Sequence, residues 1–240
     1  MKKQDIVILP GWGLSAEKFL PLEKEFVTHG YRVHSVDFPG CGRSPLPGKP
    51  LTLGDYVDFL DAYIQKRNIR DYSIIAHSFG GRVALQYLLT KKNSVRTLIL
   101  SGTPGFSSVN KVKFFAFVAF AKIGNFLSSV VLPKETVGKI RVWYYKTVGA
   151  RDFYRAEGVM RETFKNVVNQ SLVPAMQAVS IPTLLIWGAQ DTIVPVSVAK
   201  RMNAVIKSST LAIVDGQDHR IPFADPKEFY RQCKAFFSSL

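Results

Sequence analysis

Short, continuously apolar runs alternate with helical patterns along most of this 240-residue chain. Such runs are typical of strands buried on both faces, and parallel sheets bury both faces beneath helices. Six strands are predicted, at residues 5–9, 31–36, 72–76, 95–100, 182–187 and 210–214. The alternation therefore predicts an α/β fold, with a mostly parallel sheet of about six strands and helices on both of its faces.

One predicted strand ends in a sharp turn that carries a serine. The segment 74–81 reads IIAHSFGG, and Ser78 lies at the apex between the strand and a helical pattern. Ala76 and Gly80 stand two residues before and two residues after it. This is the nucleophile-elbow pattern, with alanine in place of the first glycine. An ordinary strand–turn–helix with an exposed serine gives the same short pattern, so other residues must distinguish the two.

A nucleophilic serine needs a general base, and the chain offers four histidines. His29 ends a predicted helix, and His34 lies inside a predicted strand. His77 neighbours the serine, but we expect its side chain to point away from the apex. His219 follows the last predicted strand in a polar loop, at the edge of the sheet where ligands of such folds bind. His219 is therefore the predicted base, and the alternative is a surface histidine in a turn.

The group that orients the base should be a carboxylate that also follows a strand. Asp191 meets this condition, because it lies in the loop after the strand at 182–187 and just before a predicted helix. The alternative role for Asp191 is that of an N-terminal helix cap. Asp215 and Asp218 are rivals for the orienting role. Asp191 is preferred, because residues on the same short loop as His219 rarely direct their side chains to the same point as the histidine does.

Backbone N–H groups are the expected donors for an oxyanion. One belongs to Phe79, the residue after the proposed nucleophile, and the other to Trp12 in the loop after the first strand. Trp12 lies between Gly11 and Gly13, and glycines let the backbone approach a substrate closely. A turn with an anchoring tryptophan is a compatible interpretation of the same residues.

Residues 106–178 interrupt the alternation, because they show helical patterns and no obvious strand. They carry 11 Lys/Arg and 4 Asp/Glu, an excess of 11 − 4 = 7 that is half of the net charge of +14. We predict a helical cap at 106–178 inserted between two parts of the core, at 1–105 and 179–240. The apolar run at 114–121 is bracketed by lysines and is too short to span a membrane, which requires ~18 residues. A cap helix beside the substrate pocket is preferred over a helix on an anionic membrane surface.

Charge and cysteine content limit the class of partner. The net charge of +14 is large, but there is no long basic run and no nucleic-acid-binding motif, so no nucleic acid is expected. The N-terminal segment lacks a signal-peptide pattern, and the two cysteines are expected to be free thiols in a cytoplasmic protein. No Cys/His cluster has metal-ligand spacing, and neither a metal nor an organic cofactor is expected.

Five pieces of the sequence, taken in order, resemble the α/β-hydrolase superfamily and in particular its small capped carboxylesterases. They are LPGWG at 9–13, DFPGCGRS at 37–44, AHSFGG at 76–81, WGAQDTIVP at 187–195 and DGQDHRIPFADPKEF at 215–229. The resemblance implies the α/β-hydrolase fold. It also implies that Ser78 is the nucleophile, His219 the base and Asp191 its orienter, with Trp12 and Phe79 as oxyanion-hole residues.

The expected reaction is hydrolysis of a carboxylic ester through an acyl-enzyme intermediate. The substrate is expected to be a small molecule with an apolar portion. Lactone hydrolysis and C–C bond hydrolysis use the same triad, and a hydrolase-like ligand receptor with slow turnover keeps it as well. The serine at position 78 argues against the members of this fold that use an aspartate nucleophile.

Overall fold

A computed structural model describes residues 4–91, 94–106, 157–168 and 170–240 of the chain. These residues form a six-stranded sheet with the strand order β2-β1-β3-β4-β5-β6, and every neighbouring pair is parallel. The strands are β1 (Asp5–Leu9), β2 (Arg32–Ser35), β3 (Tyr72–His77), β4 (Val95–Ser101), β5 (Thr183–Gly188) and β6 (Ser209–Val214). All carboxyl ends of the strands consequently meet at one edge of the sheet.

Helices connect the strands as the alternation predicts. In chain order they are α1 (Leu20–Thr28), α2 (Leu53–Lys66), α3 (Phe79–Thr90), α4 (Gly158–Val168), α5 (Val173–Ala178), α6 (Val196–Val205), α7 (Ile221–Ala224) and α8 (Pro226–Phe237). The helix predicted at 16–28 is divided, because Ala16–Phe19 forms a 3₁₀ turn and the α-helix starts one residue before Pro21. Proline is tolerated in the first turn of an α-helix but not in its interior. The short helix α7 was not predicted.

The sheet is covered on both faces, as its continuous apolar strands require. Along β1, Val7 and Leu9 pack into the core on the side of α2 and α3, whereas Ile6 and Ile8 pack on the side of α1 and α8. Successive residues of a strand point to opposite faces. All four side chains are fully buried, because helices cover both faces of the sheet. The predicted α/β architecture with a parallel six-stranded sheet is confirmed.

The predicted cap lies for the most part outside the described residues, and so does the apolar run at 114–121. The division into core 1–105, cap 106–178 and core 179–240 therefore stays a prediction. Helices α4 and α5 fall within the last part of that cap range. Among the described helices, none is long and apolar enough to cross a membrane.

Candidate active site

Ser78 occupies a strained turn between β3 and α3. Its backbone has φ 51° and ψ −113°, a left-handed conformation that a residue with a Cβ rarely adopts. Such a conformation costs about 1–3 kcal/mol and persists only where the surrounding structure holds it. Here the Ser78 N–H donates to the Ser101 carbonyl at 2.8 Å, and the Ser78 carbonyl accepts from Gly81 N–H at 3.0 Å. The turn at Ser78 therefore has the strained backbone that the nucleophile-elbow pattern predicts.

Close packing around the turn explains the small residues that flank the serine. A Cβ on Gly80 would collide with the backbone carbonyls of Leu9 and Pro10, and a Cβ on Gly81 would collide with the Thr103 side chain. The first of these contacts brings the loop after β1 against the start of α3. The backbone of the predicted oxyanion loop therefore packs directly against the elbow, and there is no space for a side chain at Gly80.

His219 and Asp191 form a buried hydrogen-bonded pair. His219 lies in the loop after β6 and Asp191 in the loop after β5, and His219 Nδ1 lies 2.8 Å from Asp191 Oδ2. The side chains are 11% and 1% exposed, respectively, so water competes little for this bond. Because a carboxylate only accepts, Nδ1 carries the proton, and Nε2 is the ring nitrogen that can take one.

The loop after β5 determines which way the Asp191 carboxylate points. Its second oxygen, Oδ1, accepts from the N–H groups of Ile193 at 2.9 Å and Val194 at 2.8 Å. Both oxygens are therefore used, one by the backbone and one by His219. The N-cap of the following helix α6 is Pro195, so Asp191 does not cap that helix.

The rival carboxylates have other surroundings. Asp218 forms an ion pair with Arg220 at 2.7 Å and also accepts from the Arg220 N–H at 2.8 Å. The Arg220 guanidinium is the main reason that the pKa of Asp218 is lowered. Asp215 is exposed. The structure thus brings Asp191, and not its rivals, to the histidine ring.

Trp12 and Phe79 contribute backbone N–H groups beside the elbow. Among the described residues, neither N–H has a hydrogen-bond acceptor, and Phe79 is the first residue of α3, where N–H groups have no partner within the helix. The two side-chain rings meet edge to face at 5.3 Å. A Cβ on Gly11 would lie only 3.3 Å from Ser78 Cβ, which shows how closely the Trp12 loop approaches the serine.

Ser78 Oγ has no hydrogen-bond partner among the described residues, His219 included. Catalytic hydrogen bonds are often long in ligand-free enzymes and tighten when substrate binds. What the structure does bring together is a half-buried serine on a strained turn, two unpaired N–H groups and a buried Asp–His pair, all at the carboxyl edge of the sheet. These are the groups that nucleophilic acyl transfer requires.

His77 lies closer to the site than we expected from its position in the strand. Its ring is buried, and its centroid lies 4.7 Å from that of His219. Burial lowers the pKa of His77 well below its usual value, and the electrostatic influence of the neighbouring His219 ring acts in the same direction. His77 is therefore neutral and packs beside the His219 ring. Its place at the end of β3, next to Ser78, was the signal in the sequence for this proximity.

Gly102 was not singled out from the sequence, yet it contacts the histidine. It follows β4 with φ 57°, and a Cβ at this position would lie 2.6 Å from His219 Cε1 and 2.7 Å from His219 Nδ1. Distances below 3.0 Å force a shift, so the ring fits only because residue 102 has no side chain. The sequence gives a weak signal, a glycine directly after a strand.

Replacing Gly102 by alanine should lower kcat/KM for an ester substrate by about 100-fold, since small displacements of a catalytic group have effects of this size. The added methyl group displaces the His219 ring. Gly30→Ala is the matched control, because Gly30 has φ 90° and no atom near its Cβ position. Both variants should lose about 1 kcal/mol of stability from the positive φ, and only Gly102→Ala should lose activity. Equal activities in the two variants would contradict the contact.

The fold and this site define an α/β-hydrolase. The parallel sheet carries the serine after β3, the aspartate after β5 and the histidine after β6, which is the chain order of that class. The chain belongs to the alpha/beta hydrolase family, whose sequence model matches residues 6–232. The family and fold predicted from the sequence are thus confirmed.

Similar proteins include enzymes with different names. A pimeloyl-[acyl-carrier protein] methyl ester esterase from Pectobacterium atrosepticum is 29% identical over an alignment that covers 97% of this chain and 93% of the relative. An esterase from Exiguobacterium antarcticum has a TM-score of 0.74 at 19% identity, covering 98% of this chain and 92% of its own. MenH from S. aureus has a TM-score of 0.74 at 21% identity, covering 100% and 95%. At these identities the two solved structures show a shared fold.

Proposed function

We propose that this protein is a serine hydrolase that cleaves carboxylic esters through an acyl-enzyme intermediate. The observation that carries the proposal is the buried 2.8 Å hydrogen bond between His219 and Asp191, at the same sheet edge as the strained Ser78 turn. The esterase names of two similar proteins support the choice of an ester as substrate.

In the first half-reaction, Ser78 Oγ attacks the ester carbonyl carbon while His219 Nε2 takes the hydroxyl proton. Asp191 accepts from His219 Nδ1 and stabilises the imidazolium that forms. The alcohol then leaves with the proton from Nε2, and the acyl group stays on Ser78. The products of this half-reaction are the acyl-enzyme and the free alcohol.

The oxyanion of the tetrahedral intermediate is stabilised by the N–H groups of Trp12 and Phe79. Each such donor typically lowers the barrier by about 3–4 kcal/mol. In the second half-reaction His219 takes a proton from water, the hydroxide attacks the acyl carbonyl, and Ser78 Oγ recovers its proton as the acid leaves. These steps use side chains and backbone alone.

The residues beside Ser78 bear on the kind of ester that the protein accepts. Trp12 is half-buried in the loop that approaches Ser78, and its ring packs edge to face on the buried Phe79 ring. We infer that the Trp12 ring contacts the substrate, and an apolar wall of this kind suits a small molecule with an apolar portion. The name of the Pectobacterium relative points to methyl esters, including one attached to an acyl carrier protein.

A fluorophosphonate probe together with steady-state kinetics tests this proposal. Such a probe phosphonylates an activated serine, so we expect one group per chain, located on Ser78 by mass spectrometry. Heat-denatured protein is the control and should not be labelled. A panel of p-nitrophenyl esters, methyl esters and lactones should then show many turnovers per enzyme, fastest on esters.

Each outcome has a defined meaning. Absence of labelling at Ser78 would contradict the nucleophile assignment. Labelling at Ser78 without multiple turnovers on any ester would favour a ligand receptor that keeps the triad. Faster turnover of lactones than of esters would replace the substrate class and keep the mechanism.

A further inference from the structure

Arg82 is a buried arginine on the elbow helix α3, and its guanidinium donates to three backbone carbonyls. Nε donates to Val167 at 3.0 Å, Nη1 to Pro104 at 2.8 Å and Nη2 to Gln170 at 2.6 Å. The residue is 2% exposed. One side chain thus connects the helix that follows Ser78 to the loop after β4 and to the C-terminal end of α4.

The chemistry of Arg82 indicates a specific role. Among the described residues no carboxylate pairs with its guanidinium, and burial lowers its pKa to about 10. The cost of burying an unpaired cation is offset by the carbonyls, which its planar fork fits better than a lysine would. Val167 lies in the last turn of α4, where carbonyls lack partners within the helix and attract a cation.

Helix α4 also contacts the loop after β2. Thr163 Oγ1 accepts from Leu51 N–H at 3.0 Å, and Asn166 Nδ2 donates to the Leu51 carbonyl at 3.2 Å. Arg82 and Leu51 therefore hold α4 at two places. Because α4 is fixed at two places, the side chains on its inner face have defined positions relative to the loop that carries Trp12.

The residue on α4 that reaches the candidate site is Phe164. Its ring meets the Trp12 ring edge to face at 5.1 Å, and the Trp12 ring in turn meets Phe79 at 5.3 Å. Trp12 and Phe79 are the two proposed oxyanion donors. Phe164 is half-buried, and its ring is a part of α4 that packs directly against the proposed oxyanion loop.

We propose that Phe164 is a specificity-determining residue for the ester and that Arg82 is the positioning residue that holds it in place through α4. This inference rests on the proposed esterase function. The size of the space beside Trp12 then sets which substrate chain fits, and that size depends on where α4 lies. Discrimination by about 10–200-fold per methylene is typical of such apolar walls.

Hydrogen exchange tests the contact between Arg82 and α4 without any reference to activity. In Arg82→Met the amides of α4 should exchange about tenfold faster than in the wild type, because a charged hydrogen-bond donor is lost. Arg96→Met is the matched control, since Arg96 is 60% exposed and pairs with Asp71 near the opposite end of β4. Unchanged exchange in Arg82→Met would overturn the positioning role.

Ester series test the specificity role. One series varies acyl length with a constant p-nitrophenyl group, and a second varies the alcohol with a constant acetyl group. Phe164→Leu, which enlarges the space without touching the Arg82 contacts, should change the kcat/KM ratio of long to short substrates by about tenfold in at least one series. Arg82→Met should change the same ratio in the same direction, and Arg82→Lys should fall between it and the wild type.

The outcomes separate this inference from the proposed function. Turnover by all variants with an unchanged ratio in both series would overturn the specificity role and leave the esterase intact. Opposite shifts in Phe164→Leu and Arg82→Met would overturn the link between them. Wild-type protein that turns over no ester would overturn both the proposed function and the specificity role, whereas hydrogen exchange would still measure the Arg82 contact.

Discussion

Ser78→Ala should lower kcat on a p-nitrophenyl ester by about 10⁴-fold or more, because the proposed nucleophile is removed while the binding groups stay. The variant keeps the Cβ of Ser78 and hence the same strained turn at φ 51°. We therefore expect its circular dichroism and melting temperature to match the wild type. Retention of more than about one hundredth of kcat would contradict the assignment of Ser78 as nucleophile.

Ser78→Gly provides a second measurement on the same residue. Glycine adopts a positive φ without the penalty of a Cβ, so this variant should be equally inactive but more stable than Ser78→Ala by about 1 kcal/mol. Denaturant unfolding of the two variants measures the difference. Equal stabilities would mean that the turn at Ser78 stores no strain.

The second large effect is expected for Asp191→Asn, which should lower kcat by about 10⁴-fold, as an asparagine in the corresponding role does in a serine protease. The structure supplies a particular reason. Asp191 Oδ1 accepts two backbone N–H groups, from Ile193 and Val194. The amide oxygen of an asparagine must stay on that side, so its NH₂ group faces His219 Nδ1.

That orientation reverses the tautomer of the histidine. Nδ1 would have to accept from the asparagine, and Nε2 would then carry the proton and be unable to take one from Ser78. Asp218→Asn is the matched control, because Asp218 pairs with Arg220 rather than with the His219 ring. We expect it to change kcat by less than about threefold, a surface-charge effect. A loss as large in Asp218→Asn as in Asp191→Asn would contradict the choice between the two carboxylates.

Much of the fold could be predicted because burial leaves a direct trace in the sequence. Strand β1 has the bounds that its apolar run gives, Asp5–Leu9, since every residue in it is buried on one face or the other. Strand β2 lies at the edge of the sheet and is only partly buried, and its observed bounds, Arg32–Ser35, are narrower than the predicted 31–36. A continuous apolar run sets the bounds of a strand less well where the strand is only partly buried.

The candidate site was predictable to the extent that its residues follow strands. Ser78, Asp191 and His219 each lie just after a buried strand, and parallel strands bring those positions to one edge. The pairing of Asp191 with His219 depends on two loop conformations, about which periodicity says nothing. The backbone N–H groups that hold Asp191 become visible only in three dimensions.

Contacts between distant residues account for what was missed. Gly102 meets His219 across more than a hundred residues of chain, and a glycine after a strand has many possible reasons. Arg82 looks like a surface cation in the sequence, since arginine is rarely buried. In the structure its guanidinium donates to carbonyls of the loop after β4 and of the C-terminal end of α4 and the residues that follow. Such contacts depend on how elements pack, which a single sequence does not encode in any short pattern.

The pairing of β4 with β5 joins the two halves of the proposed catalytic machinery. The nucleophile and the oxyanion donors precede this pair in the chain, and the orienter and base follow it, with Leu98 aligned to Thr183 and Ser101 to Ile186. Register between two adjacent strands therefore sets the alignment, and the length of the connecting segment does not enter it. An evolving lineage could exchange that segment as a module and acquire new substrates while the reacting groups keep their places.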